Sequence, residues 1–226
     1  MGGTAVNDRA VGLLDQFDIE VLRTKKGRSA ILCDTDKGTL IFKEYFGLQD
    51  KVRVQDCLLK QIAESGDLPV EQILPTKEGE LLVRDGDGRP YILKTYFEGK
   101  ECNIYDVGEM VKAVKTLARL HLAMQLKNRE LIERLPVFEP AKEYEKHNRE
   151  LKRVRRFLKQ KSQKTYFEIY LLNHYDYFLE QALEVTREWT AFAIPEDTAY
   201  IREQGVFSHG DYQYHNIVEK GGLQAI

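Results

Sequence analysis

Near the end of the chain stands Ser208-His209-Gly210-Asp211-Tyr212-Gln213-Tyr214-His215-Asn216-Ile217, an Asp with an Asn five residues on. That pair suits phosphoryl transfer from a nucleoside triphosphate. The carboxylate takes or orients the proton of an acceptor hydroxyl, and the amide oxygen holds a metal bound to the phosphates. The short loop brings both oxygens to one point. Gly210 allows a tight turn where a side chain would crowd the backbone. His209 braces the loop from beneath, and Ile217-Val218 begins a short strand that fixes the Asn. Asp211 is thus the candidate base, Asn216 the candidate metal ligand and His209 their support. The plain alternative is a polar turn ahead of a β-hairpin.

A second candidate is Lys43, which closes Leu40-Ile41-Phe42-Lys43. Strand alternation puts it on the face of Ile41, where an ammonium needs a charged partner because burying it alone is costly. The alternative is a lysine that snorkels to water. The turn Lys25-Lys26-Gly27-Arg28-Ser29 carries cations that attract phosphate, or is an ordinary hairpin turn. His121 lies on an apolar helical stripe and reads as a buried structural histidine. His215, beside Asn216, reads as a neighbour of the metal ligand, and no His-x3-His spacing suggests a histidine metal site.

The elements that must position these residues fall into two regions. From Phe17 to Phe97 the pattern is strands joined by Gly-containing turns, with strands expected over Phe17–Thr24, Ser29–Asp34, Thr39–Tyr45, Glu71–Leu74, Leu81–Arg84 and Tyr91–Phe97. Asp50–Ser65 switches to helical period, with Val52, Leu59 and Ile62 on one face and Gly66 just past the end. After Gly99 the chain turns helical. Asp106 and Glu109 form a capping-box pattern, and Val107, Met110, Val114, Leu117, His121 and Met124 mark the expected buried stripe. A second helix over about 142–161 should bury Tyr144, His147, Leu151, Val154 and Leu158, and a third over about 165–189 is rich in Tyr and Phe. This divides the chain into a small lobe, residues 1–97, built of antiparallel sheet with the helix 50–65, and a helical lobe, residues 98–226.

Bulk properties narrow the function. A net charge of −2 argues against nucleic acid as a partner of the whole chain. Residues 142–164 nevertheless hold ten Lys or Arg against three Glu, either a solvated helix face or a site for an anionic acceptor, nucleic acid or a protein partner. Three widely spaced cysteines fit reduced thiols, and neither a signal peptide nor a membrane-spanning stretch is visible, so a cytoplasmic location is expected.

His209-Gly210-Asp211-x4-Asn216 resembles the catalytic loop of the aminoglycoside phosphotransferase and choline kinase group, relatives of the protein kinases. Within that group, Thr39–Tyr45, the region from Gly79 to Gly99 and His209–Ile226 resemble the CotS family of bacterial spore-coat proteins. The resemblance implies a kinase-like, two-lobed α+β fold that uses ATP and Mg2+ to phosphorylate a small-molecule hydroxyl. It implies that Lys43 grips the α- and β-phosphates and that Tyr96-Phe97-Glu98-Gly99 is the hinge whose backbone reads adenine, which makes Tyr96 and Glu98 nucleotide-site residues. The helix glutamate that partners the lysine in such folds is replaced here by Gln55, an amide that holds it less firmly. In the family a second metal-binding Asp follows the strand that begins at Leu223, and none lies within these residues, so the expectation is a chain truncated at its C-terminus and inactive by itself. The alternative that the resemblance implies is a non-catalytic spore-coat component, with spore-coat proteins as partners.

Overall fold

The computed structural model describes residues 8–27, 30–136, 139–192 and 195–226. Arg28 and Ser29 of the basic turn lie outside the described residues, as do Ala193 and Ile194 of the expected helix end. The chain divides into two compact units, Met1–Leu135 with Arg202–Ile226, and Pro136–Ile201. In this division the helical residues between 98 and 135 and the segment 202–226 belong to the same unit as the sheet.

In the first unit, β1 (Val21–Lys26), β2 (Ala30–Thr35) and β3 (Gly38–Glu44) form an antiparallel meander. The turn between β2 and β3 uses Gly38 at φ +95°, which suits a residue without a Cβ. The helix α1 (Gln49–Ser65) follows and is closed by Gly66 in the left-handed conformation. The short β4 (Ile73–Leu74) and β5 (Val83–Arg84) both pair with β6 (Pro90–Thr95), which also pairs with β3. The expected strands are present with shifted ends. The first begins later than predicted because Asp8–Gln16 forms a 3-10 helix and Phe17 bridges to Thr76.

The two faces of this sheet follow from alternation. Cys33, Leu40, Phe42, Tyr91 and Leu93 pack with Ala10, Leu14 and Phe17. On the other face, Ile73 and Ile92 pack against Val52 of α1. Lys43 stands directly opposite Ile92 in the β3–β6 register, so it shares the α1-facing side. Phe42 stacks on Tyr91 at 5.2 Å between ring centroids, which locks the two strands together from the opposite side.

Beyond the sheet, β7 (Lys100–Glu101) leads to α2 (Val107–Ala123) and α3 (Arg129–Glu133). At the far end of the chain, β8 (Val218–Lys220) and β9 (Leu223–Ala225) form a hairpin, and β8 pairs with β7. Asp106 caps α2 by accepting from the Glu109 amide, the predicted half of the capping box, while Glu109 accepts from Asn103 N and not from Asp106 N, which donates to Asn103 O. The predicted buried stripe of α2 is incorrect. Val107, Met110 and Val114 are exposed, as is His121, and the buried residues are Ala113, Thr116 and Leu120. That face is selected by the hairpin: Thr116 Oγ1 donates to Gln224 Oε1 at 2.9 Å, and Lys112 binds Glu219 at 2.7 Å and Gly222 O at 2.7 Å.

The second unit is built on α4 (Pro140–Gln160) and α5 (Tyr166–Phe192), which run antiparallel. Asn148 bonds Thr186, Tyr144 meets Trp189 edge-on, and Arg155 pairs with Asp176 while lying over the Tyr175 ring. Tyr144, Asn148, Leu151, Arg155 and Leu158 turn inward, whereas His147 and Val154, expected inside, are exposed. The polar Asn148 displaces His147 from the stripe because Thr186 offers it a hydrogen bond. Of the ten basic residues in this stretch, Lys142, Lys146, Arg149, Arg155 and Lys161 are in ion pairs with acids. Among the described residues no helix is long and apolar enough to cross a membrane.

Candidate functional site

The α6 helix (Pro195–Gln204) hands the chain to the loop through Gly205, whose carbonyl accepts from Leu126 N at 2.9 Å. Loop residues Ser208 to Gln213 then reach a single 3-10 turn, Tyr214–Asn216, before β8. Two anchors fix the loop from below. Tyr212 donates its hydroxyl to Ala113 O on α2 at 2.8 Å and packs with the cluster of Ile62, Leu68, Val70 and Leu120. Cys102 N donates to Ile217 O at 3.0 Å, which ties the strand after Asn216 to β7.

Asp211 is exposed at the crest of the loop. Its Oδ1 accepts from Gln213 Nε2, and its Oδ2 accepts from Asn216 Nδ2 at 3.2 Å. Asn216 Nδ2 also donates to Asp211 O at 2.9 Å. The amide nitrogen of Asn216 is therefore spent on Asp211, and its oxygen is the atom left to face a ligand. Gly210, between His209 and Asp211, has φ +76°, the backbone turn that the spacing required.

His209 is half-buried and stands edge-on to Tyr212, with 5.5 Å between ring centroids. Its Nδ1 accepts the Asp211 backbone N–H at 3.3 Å, which leaves the proton of the neutral ring on Nε2. Burial lowers its pKa below the ordinary 6.5, as do His121 and Lys94, while Asp211 and Glu71 act in the opposite direction. The ring is a neutral brace. His121, expected in the core, is exposed. His215 is half-buried beside Asn216, and its ring meets Tyr214 edge-on.

Lys43 is half-buried on the α1-facing side of the sheet. Burial lowers its pKa, Lys94 lowers it further, and Glu71 and Asp211 raise it. Lys43 and Asp211 belong to the same compact unit. Among the described residues, no ion pair or hydrogen bond joins Lys43 to Gln55, which is half-buried on α1. The acidic side chain closest to this face in sequence register, Glu71, is held by Lys94. In the predicted hinge, Tyr96 is 39% exposed and Glu98 accepts from Thr39 Oγ1 at 3.1 Å. Gly99 packs so closely on β8 that a Cβ would lie 2.5 Å from Glu219 O. The hinge segment is thus fastened to β3 on one side and to the loop hairpin on the other.

Two residues went unnoticed in the sequence, Glu71 and Lys94. The signal was present: alternation along Tyr91-Ile92-Leu93-Lys94 puts Lys94 with Ile92, the same argument that marked Lys43. No group of three or more His, Cys, Asp or Glu is arranged to hold a metal among the described residues.

No protein-family profile and no curated protein matches the chain. Solved structures do. An aminoglycoside phosphotransferase from Alicyclobacillus acidocaldarius superposes with a TM-score of 0.62 at 18% identity, over 94% of this chain and 63% of its own. Spectinomycin phosphotransferase in complex with ADP and spectinomycin gives 0.64 at 14% identity, over 98% and 71%. An amicoumacin kinase in complex with AMP-PNP and Ca2+ gives 0.56 at 15% identity, over 97% and 63%. The chain thus spans 63% of the length of the first of these proteins. At such identities the likeness is one of fold, and the fold of this chain is the kinase-like α+β fold of the aminoglycoside phosphotransferases.

Proposed function

We propose that the chain belongs to a phosphotransferase that moves the γ-phosphoryl group of ATP to a hydroxyl of a small molecule. The observation that carries this reading is the Asp211 carboxylate, exposed, oriented by two side-chain amides and set in the same compact unit as Lys43. Asp211 would accept the proton of the attacking hydroxyl. Its two amide donors hold both oxygens in place without occupying every lone pair. Lys43 would neutralise charge on the α- and β-phosphates, and the Tyr96–Glu98 segment would receive the base. His209, neutral and half-buried, would keep the Asp211 backbone in register and take no proton.

The donor set fits a hard divalent cation in part. The Asn216 side-chain oxygen is an uncharged ligand of the right kind, and no carboxylate cluster accompanies it among the described residues. Mg2+ held there together with the nucleotide phosphates would supply the charge neutralisation that a triphosphate needs. The solved neighbours with bound AMP-PNP, ADP and Ca2+ support nucleotide and divalent-ion use. Those with spectinomycin and amicoumacin support a small-molecule acceptor.

A second reading has a specific observation behind it. Lys43 lacks an ion-pair partner among the described residues, which suits a fold retained for spore-coat assembly without turnover. Calorimetric titration with ATP and with an inert anion of equal charge separates the two. The phosphotransferase reading expects saturable ATP binding that is lost in Lys43→Met; absence of any ATP binding would remove it and leave the assembly reading.

A further inference from the structure

One face of α5 is unpartnered, and the order of its residues carries information. The side of the helix towards α4 is marked by Tyr175, 3% exposed, and by Thr186, whose hydroxyl accepts from Asn148 Nδ2 at 2.8 Å. About a third of a turn round the helix, a second stripe runs from Phe167 to Phe192. Its exposed members follow one another at spacings of three, four, four, three, four, four and three residues, within an arc of about 100°. Those spacings read the same from either end. An antiparallel second copy of α5, turned about a two-fold axis midway between Leu179 and Glu180, therefore sets Phe167 against Phe192 and Tyr170 against Trp189. The same operation sets His174 against Val185 and Phe178 against Gln181.

The chemistry of the stripe suits that arrangement. Aromatic side chains meet aromatic side chains at both ends, where ring pairs gain beyond the area they bury. Among the described residues of α5, Glu188 is the one charged side chain in the arc. It lies on the margin, and the register puts it opposite Leu171 and not opposite another acid. With no cation in the stripe, a polyanion such as nucleic acid has nothing to bind there. The area also suffices. At about 200 Å² for a whole aromatic side chain, the five Phe, Tyr and Trp residues leave roughly 600 Å² open on each copy, Phe167 at 69% and Phe192 at 80% exposure contributing most. Two copies together reach the about 1,200 Å² at which stable interfaces begin.

We propose that this stripe is a homodimer contact, in which two copies of the chain pair antiparallel along α5 about that two-fold axis. An unrelated partner places no demand for symmetric spacing on the helix, whereas a second copy does. The contact lies within the unit of α4 and α5 and is independent of the phosphotransferase reading.

The experiment is sedimentation equilibrium of the 226-residue chain, loaded between about 1 and about 100 μM. A monomer–dimer equilibrium with a dissociation constant of about 10 μM or below is expected. Phe178→Glu, at an exposed position next to the axis, should weaken the dimer by at least about 100-fold, because the two-fold repeats the change. Asn173→Glu adds the same charge at an exposed position off the stripe and should change it by less than about threefold. Circular dichroism checks that both variants keep their helices. The register is read by mixing Phe167→Cys chains with Phe192→Cys chains under mild oxidation. Mass spectrometry should find disulfides between positions 167 and 192 of different copies in excess over links between like positions. A chain that stays monomeric at about 100 μM leaves the stripe to a different partner and overturns the proposal. So does a dimer untouched by Phe178→Glu, one weakened equally by Asn173→Glu, a predominance of links between like positions, or aggregation without a discrete dimer.

Discussion

Thr116 of α2 and Gln224 of β9 are 6% and 4% exposed, and the hydroxyl of the first donates to the amide oxygen of the second at 2.9 Å. Thr116→Val keeps the shape of the side chain and deletes the donor. Gln224 Oε1 would then be buried without a partner, at a cost of about 1–3 kcal/mol. Gln224→Leu should cost less, about 0.5–1 kcal/mol, because the freed hydroxyl can turn to a carbonyl of its own helix. In T116V/Q224L both polar atoms are gone, and the loss should be smaller than the sum of the singles by about 1 kcal/mol or more. The choice of assay matters. The single tryptophan, Trp189, lies on α5 in the other compact unit, so its fluorescence does not report this hairpin. Hydrogen exchange on peptides covering β8 and β9 does. In Thr116→Val those amides should exchange faster by about 5- to 150-fold, the kinetic equivalent of that free energy. The effect should reach Asn216, because its strand is held by the Cys102 amide on β7 and by the pairing of β8 with β9. Exchange in Thr116→Val within twofold of the wild type would refute the claim that this buried bond holds the hairpin to α2.

Three further outcomes follow from the same geometry. Gly205→Ala would put a Cβ 2.1 Å from Leu126 O at a φ of +63°, and thermal unfolding should show a loss of at least about 2 kcal/mol. His209 has a folded pKa below 6.5, so the unfolded chain binds more protons just under that pH. Stability should therefore fall as pH drops from about 6.5 to the folded value, and His209→Gln should flatten that limb of a urea-midpoint series across pH. Tyr212→Phe removes the bond to Ala113 O at 2.8 Å and should cost about 0.5–1.5 kcal/mol in denaturant titrations, with an unchanged far-ultraviolet dichroism spectrum.

The small-lobe strands were legible because each carries its own punctuation. Two-residue alternation gives the faces, and turns such as Asp36-Lys37-Gly38 mark where the chain reverses. The loop was legible for a related reason: Gly210 and the Asp–Asn spacing act over six residues, so local geometry decides them. The face of α2 was not. Apolar residues at spacings of three and four occur on more than one side of that helix, and the side that is buried contains Ala113 and Thr116, small residues with weak hydrophobic signal. They are inside because Tyr212 and Gln224, about a hundred residues later, need close approach to the helix backbone. No periodicity within α2 contains that information. The same limit explains His147 and Asn148, where a hydrogen bond to Thr186 overrides the apolar pattern.

The loop and the sheet lysine also show how charge is apportioned in this fold. Gln213 and Asn216 give Asp211 two neutral donors, so the loop carboxylate is oriented without being neutralised by a cation. An ion pair between Lys43 and Asp211 would, under the proposed function, weaken the base and occupy the phosphate-binding cation in one contact. On the sheet, Lys94 is bound to Glu71, and Lys43 forms no ion pair among the described residues. Under the proposed function, a phosphate would meet in Lys43 a cation, and a hydroxyl would meet in Asp211 a base, neither of which is in an ion pair among the described residues.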